Sequence, residues 1–223
     1  MAEVRRAASR RQRRRELGQN FLTDRSVVER FLDRIQICPG DLVVDLGAGA
    51  GALTIALLER GARIVAVEID ESAIADLRRR CARLPDDAKH QLRIVHSPIE
   101  RFRFPREPYR VVANPPFGHS TAVLRRLLDD PTKGPYRADL VLQREVVRKR
   151  AASPPTSLAS AAWAPWWTFE HGMVIDRRAF APPPSVDAAV LHIERRELPV
   201  LPVWLAPGFA EVLRARWESG SPR

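Results

Sequence analysis

The chain has 223 residues, a formal net charge of +10 and a sequence pI near 10.9, and 45% of its residues are hydrophobic. That hydrophobic share excludes disorder throughout and is enough for one α/β domain with a sizeable core. The excess of cations favours a polyanionic partner, nucleic acid before membrane. No apolar run reaches the ~18 residues that a membrane span needs, so we expect a soluble protein without a membrane partner.

The positive charge is concentrated in residues 1–15, which carry seven arginines and one glutamate. No apolar segment follows them, so a secretory signal is excluded, and we expect a disordered arm that contacts phosphates. A transit peptide is the alternative. Cys38 and Cys81 stand alone, and no histidine lies at ligand spacing from another histidine or a cysteine. We therefore expect a cytoplasmic protein without a metal site.

After the arm, apolar strands alternate with amphipathic helices. This alternation predicts a parallel sheet covered by helices on both faces. A helix over residues 72–84 is expected to begin at Ser72 as its N-cap, and Gly61 is expected to end the preceding helix. The full prediction is a helix at 26–35, a strand at 41–47, helix 52–61, strand 63–70, helix 72–84, strands 91–96 and 109–114, helix 121–130 and strand 138–143.

The amino-acid composition changes at about residue 150. The next stretch is rich in Ala, Pro and Trp, and its pattern predicts no firm element. Residues 185–195 alternate well enough for a late strand, and residues 208–217 have room for one helix.

The segment "DLGAGAG", residues 45–51, follows the first strand of the sheet and opens a helix. Its glycines, Gly47 and Gly49 among them, let a ligand approach the backbone at the carboxyl end of the sheet. Glu68 ends the next strand and is placed to accept hydrogen bonds from ribose hydroxyls. The G-x-G-x-G spacing disfavours a nicotinamide cofactor. The negative charge of Asp45, Glu68 and Asp70 favours the cationic sulfonium of S-adenosylmethionine over a pyrophosphate.

The segment "VVANPPFGHS", residues 111–120, begins as a strand and stops at Asn114 and two prolines, which have no N–H for a sheet. The side-chain carbonyl of Asn114 and the backbone carbonyl of Pro115 can accept the two hydrogens of an adenine amine. That arrangement frees the nitrogen lone pair and stabilises the positive charge that develops during methyl transfer. Phe117 can stack on an extruded base. The alternative is an ordinary strand-to-turn junction.

These motifs, with "ELGQNFLTD" (16–24), "LQREVVRKRAA" (142–152) and "RAFAPPPSVDAAVL" (178–191), resemble the ribosomal RNA adenine dimethyltransferases, and most closely their erythromycin-resistance branch. The resemblance covers about residues 16–196. It implies that Asn20 and Leu22 border the methionine part of the cofactor and that Phe180 lies near the target base. Without the resemblance, Phe180 is equally well interpreted as core packing.

Three features depart from the family pattern. Pro115 replaces the usual Leu or Ile, a form also found in other amino-methyltransferases. Pro98 stands in the cofactor site where the family has an Asp that meets the cofactor adenine. Only about 28 residues follow the resemblance, where the family has a helical domain.

The resulting hypothesis is a Rossmann-like S-adenosylmethionine-dependent methyltransferase of class α/β, with a seven-stranded, mostly parallel sheet and one late antiparallel strand. Its predicted parts are the arm (1–15), the catalytic domain (16–196) and a vestigial C-terminal helical segment (197–223). The predicted reaction is methylation of an adenine N6 in large-subunit ribosomal RNA, before or during ribosome assembly, by a monomer, and it implies macrolide resistance. A DNA adenine or protein glutamine methyltransferase, or a non-catalytic RNA-binding relative, is the alternative.

Overall fold

The computed structural model of the protein describes residues 20–219. Five apolar segments between residues 42 and 143 form consecutive parallel strands, and two later segments complete the same sheet. In chain order the strands are β1 Phe21–Leu22, β2 Leu42–Leu46, β3 Arg63–Glu68, β4 Leu92–His96, β5 Arg110–Ala113, β6 Arg137–Gln143, β7 Trp167–Ile175, β8 Phe180–Ala181 and β9 Ala188–Arg195.

The large sheet has the order β4-β3-β2-β5-β6-β9-β7. Strand β9 pairs antiparallel with both of its neighbours, so among the described strands of this sheet it alone runs against the rest. The predicted seven-stranded sheet with one late antiparallel strand is therefore confirmed. Strands β1 and β8 form a separate antiparallel pair in which Leu22 lies opposite Phe180.

Successive residues of a strand point to opposite faces of the sheet, and helices pack on both of these faces. Val43 belongs to the core cluster that contains Phe31, and its neighbour Val44 belongs to the cluster on the other face, which contains Trp167. In chain order the helices are α1 Arg25–Ile35, α2 Ala52–Leu58, α3 Glu71–Cys81, α4 Asp86–His90, α5 Ser120–Leu128, α6 Arg144–Arg150, α7 Leu158–Trp163 and α8 Ala206–Glu218.

Two predicted helix boundaries are wrong. The N-cap of α3 is Asp70 rather than Ser72, since the Asp70 carboxylate accepts from the backbone N–H of Ser72 at 2.8 Å. Helix α2 ends at Leu58, three residues before Gly61. Gly61 closes the turn that follows with a φ of +78°, a conformation that costs glycine little.

Strand β7 was not predicted, because its burial does not alternate in the usual way. Its register against β9 shifts between His171 and Val174, so the two halves of the strand present different faces to the core. Its first residue anchors it: the Trp167 indole is fully buried and donates to the backbone carbonyl of Leu128.

The C-terminal segment contains the predicted helix, which begins at Ala206 and packs on α7. Phe209 meets Trp166 edge-on with 5.8 Å between ring centroids. The predicted arm (1–15) lies outside the described residues. No helix between residues 20 and 219 is both long and apolar enough to cross a membrane.

Candidate active site

The glycine-rich loop between β2 and α2 sits directly against the Asn-Pro-Pro segment. Gly47 has a φ of +77°, and a β-carbon added there would lie 3.4 Å from Pro116 Cδ and 3.6 Å from Pro115 Cα. Gly49 also has a positive φ, and an added β-carbon would lie 2.5 Å from the Phe21 ring. Glycine at both positions therefore allows two loops and an aromatic ring to meet at the carboxyl end of the sheet.

Glu68 holds this loop to the end of β3. Its Oε2 accepts the backbone N–H of Gly49 at 2.8 Å, and its Oε1 accepts the N–H groups of Ile69 and Asp70, each at 2.8 Å. Oε1 is therefore saturated, while Oε2 can accept one more donor. The ribose-binding role of Glu68 stays a prediction, and its structural role in ordering the glycine loop was not foreseen.

Asp45 is buried beneath the loop and accepts the hydroxyl of Thr54 at 2.6 Å through Oδ2. Its Oδ1 is buried and has no hydrogen-bond partner within residues 20–219. Burial raises the pKa of Asp45 to about 7. Asp45 is therefore partly protonated at neutral pH, which lowers its contribution to the negative charge here, and the Asp70 carboxylate caps α3.

We expect Asp45 to make the protein less stable as the pH rises from about 4 to about 7. The folded protein keeps this proton to a higher pH than the unfolded chain, so ionisation opposes folding across that window. Urea unfolding without cofactor should show the parent losing on the order of 2–4 kcal/mol relative to Asp45→Asn between pH 4 and 8. Asparagine can still accept the Thr54 hydroxyl, which makes it a suitable control. Stability curves that stay parallel would contradict the raised pKa.

Asn114 ends β5 with its amide held in one orientation. Its Nδ2 donates to the backbone carbonyl of Asn20 at 2.8 Å. Its Oδ1 is buried and is without a hydrogen-bond partner among the described residues. A buried carbonyl oxygen without a donor costs free energy, so such an atom points to an absent ligand. Asn114 therefore presents an acceptor that is ready for an external N–H.

Phe117 follows Asn114 by three residues and belongs, with Phe180, to the hydrophobic core. Phe117 and Phe180 are both buried and meet edge-to-face with 5.9 Å between centroids. The pairing of β1 with β8 brings Phe180 to this place from the far end of the sequence. The structure thus groups Asn114, Pro115, Phe117 and Phe180, as expected from the motifs; the role of each stays a prediction.

Two adjoining cavities open at this end of the sheet and share Phe21, Gly47 and Asn114 in their walls. Leu22 and Asp45 line the first cavity. Asn20, Glu68 and Pro98 line the second, together with Val67, Ile69, Ser97, Ile99, Glu100, Pro116 and His119.

Sequence reasoning missed Phe21, Glu100 and His119 as lining residues. Phe21 stands between two residues that the resemblance placed near the cofactor, and this position was a usable signal. Glu100 and His119 gave no such signal, since each lies on a short 3₁₀ turn whose orientation depends on the fold.

The lining suits S-adenosylmethionine. The unpartnered Asp45 Oδ1 and the glycine loop can accept a cationic, amino-bearing end, and the apolar second cavity can hold a planar base. No group of His, Cys, Asp or Glu side chains that could hold a metal ion occurs among residues 20–219. Fold and site together define an S-adenosylmethionine-dependent methyltransferase.

The profile of the family described as ribosomal RNA adenine dimethylase matches residues 10–216, and the chain belongs to this family. An rRNA adenine N-6-methyltransferase from Corynebacterium diphtheriae is 35% identical over 190 residues, which are 85% of this chain and 72% of that protein. The mycinamicin-resistance protein MyrB from Micromonospora griseorubida is 38% identical over 188 residues, 84% of this chain and 58% of MyrB.

The crystal structure of the 23S rRNA methyltransferase ErmE superimposes with a TM-score of 0.77 at 28% identity, covering 91% of this chain and 80% of that one. Against several curated relatives the chain spans less than two thirds of their length. The expected family membership and fold are confirmed.

Proposed function

We propose that the protein transfers a methyl group from S-adenosylmethionine to the exocyclic N6 of an adenine in large-subunit ribosomal RNA, and so confers resistance to macrolide-type antibiotics. The observation that carries the proposal is the buried Oδ1 of Asn114, which has no hydrogen-bond partner among residues 20–219, in the same segment as Phe117, whose ring contacts Phe180. The relatives named for rRNA adenine methylation, mycinamicin resistance and 23S rRNA support the choice of substrate.

In this proposal, different residues of the chain act on the cofactor and on the target base. S-adenosylmethionine supplies an electrophilic methyl group on a sulfonium. Asn114 Oδ1 and the Pro115 carbonyl accept the two hydrogens of the adenine amine, which directs its lone pair away from the ring. Because Asn20 holds the amide nitrogen, Asn114 needs no reorientation during the reaction.

The aromatic side chains bind the extruded base. Phe117 offers a π face next to the amide, and Phe180 supports the Phe117 ring from the β1–β8 pair. The first cavity, with Leu22 and Asp45, accommodates the methionine end of the cofactor, and the second, with Asn20, Glu68 and Pro98, accommodates the nucleoside.

We further propose that a monomer acts in the cytoplasm on RNA before or during assembly of the large subunit. Residues 16–196 would carry catalysis, and residues 197–223 would contribute a C-terminal helical segment.

The test is methylation of defined substrates with radiolabelled S-adenosylmethionine. We expect transfer to 23S ribosomal RNA and its protein-free fragments, with the label mapped to an adenine N6. Label on 16S RNA alone, on DNA or on a ribosomal protein would replace the proposal by a related methyltransferase activity. Binding of RNA without transfer to any substrate would favour the non-catalytic relative.

We expect residues 1–15, which lie outside the described residues, to contribute affinity rather than sequence choice. Each phosphate neutralised changes the slope of log K against log salt by roughly −0.7 to −0.9. If about four of the seven arginines contact phosphates, deleting the segment should flatten the slope by ~3. The methylated position should stay the same. An unchanged slope, or a loss of cofactor binding, would contradict the role of the arm.

A further inference from the structure

We call the second cavity the slot and the polar side chains of its lining the rim. Its walls carry the apolar side chains of Val67, Ile69, Pro98, Ile99 and Pro116. An adenine that enters such a slot brings an exocyclic amine with two N–H donors. Leaving that amine without an acceptor would cost binding free energy, so the rim must supply one.

Most candidate acceptors at the rim are already engaged. Glu68 accepts three backbone N–H groups and is buried beside the glycine loop, and the proposed function assigns its remaining acceptor position to the ribose and Asn114 Oδ1 to the target amine. Pro98 has no polar side-chain atom, and its carbonyl accepts the Ser97 hydroxyl at 3.0 Å and the Arg101 N–H at 3.1 Å. Among the described lining residues, Glu100 is the acidic side chain that remains.

Glu100 lies next to a side chain from another loop of the lining. Its Oε1 lies 3.4 Å from Nδ1 of His119, and both side chains are about half exposed. Glu100 belongs to the 3₁₀ turn after β4, whereas His119 ends the 3₁₀ turn that begins with Phe117. The contact therefore joins the segment that follows Pro98 to the loop that carries Phe117.

We propose that Glu100 accepts the exocyclic amine of the cofactor adenine and that His119 is a positioning residue that keeps this carboxylate over the slot. The inference rests on the proposed function, because it assigns one part of the same cofactor site. A carboxylate acceptor forms a charge-assisted hydrogen bond, stronger than a neutral one. It also rejects a base that carries a carbonyl oxygen in place of the amine, since two acceptors then face each other.

The experiment measures binding of S-adenosylhomocysteine and of its 6-oxo counterpart, S-inosylhomocysteine, by calorimetry on the whole protein. We expect the parent to prefer the adenosyl ligand by roughly tenfold or more. In Glu100→Gln the adenosyl ligand should weaken about fivefold or more, and the inosyl ligand should tighten, because the glutamine amide can donate to the 6-oxo group. The ratio of the two affinities should then fall to about 1 or below.

Three further variants separate this role from a structural one. Glu107→Gln is the matched control, since Glu107 pairs with Arg63 and does not line the cavity, and it should leave both affinities unchanged. Ser97→Ala removes the neighbouring hydroxyl, and the ratio of the two affinities should stay as in the parent protein. His119→Ala should lower the ratio of adenosyl to inosyl affinity but keep it above 1. A purely structural change would not alter this ratio.

The outcomes are distinguishable. An unchanged ratio in Glu100→Gln, or a ratio that collapses in Ser97→Ala instead, would overturn the inference while leaving the proposed function intact. A parent protein that binds neither ligand would overturn the proposed function and this inference together.

Discussion

Asn114→Ala is expected to lower the methyl-transfer rate by about 10²–10³, the usual effect of removing one preorganised electrostatic partner of a transition state. The side chain presents a buried acceptor that has no donor among the described residues, so its interaction is made mainly with the reacting amine. The kcat should therefore fall much more than KM rises. Single-turnover methylation with saturating cofactor and RNA measures this directly.

Asn20→Ala is the matched control for this variant. It removes the other amide side chain of the cleft but keeps the Asn20 carbonyl that accepts from Asn114 Nδ2. We expect a weaker hold on the cofactor with a nearly normal rate at saturation. If Asn114→Ala still transfers methyl groups within tenfold of the parent, the segment is an ordinary strand-to-turn junction and the chemistry lies elsewhere.

Phe117→Ala is expected to be the next most damaging substitution, with a single-turnover rate roughly 10–100-fold below the parent, because stacking on a base contributes about 1–3 kcal/mol. The substitution also removes the ring that meets Phe180 at 5.9 Å. Phe117→Tyr keeps the π face and should retain most of the activity.

The control for lost packing is Phe209→Ala. Phe209 makes a comparable edge-on contact, 5.8 Å from Trp166, in the C-terminal segment rather than in the cleft. It should lower the free energy of unfolding without slowing methyl transfer. Equal rates for Phe117→Ala and Phe209→Ala would show that Phe117 acts through packing alone.

The parallel sheet was predictable because its strands are short apolar runs, two of which are followed directly by Gly47 and Asn114. Val43 and Val44 are buried on opposite faces, and such two-sided burial leaves a continuous apolar signature in the sequence. The two loops of the site were predictable for a related reason. Carboxyl ends of neighbouring parallel strands meet at one edge, so Gly47 and Asn114 had to lie close together.

The features that could not be predicted from the sequence depend on contacts between residues far apart in the chain. The orientation of the Asn114 amide is set by a carbonyl 94 positions away. The partial protonation of Asp45 follows from its complete burial, and the helix-capping role of Asp70 follows from where the chain turns after β3. Strand β7 was not predicted, because the shift in its register against β9 interrupts the alternation of buried and exposed residues.

The small β1–β8 sheet has a consequence for how the protein is made. It pairs Leu22 with Phe180, and the Thr23 N–H donates to the Ala179 carbonyl at 2.9 Å, so the start of the described chain meets a segment synthesised more than 150 residues later. Closing so long a loop is slow and entropically costly. A nascent chain that has not reached residue 180 already contains the glycine loop and the Asn-Pro-Pro segment, yet it lacks the strand that completes the cleft. The protein therefore completes this part of its fold only after residue 180 has been synthesised.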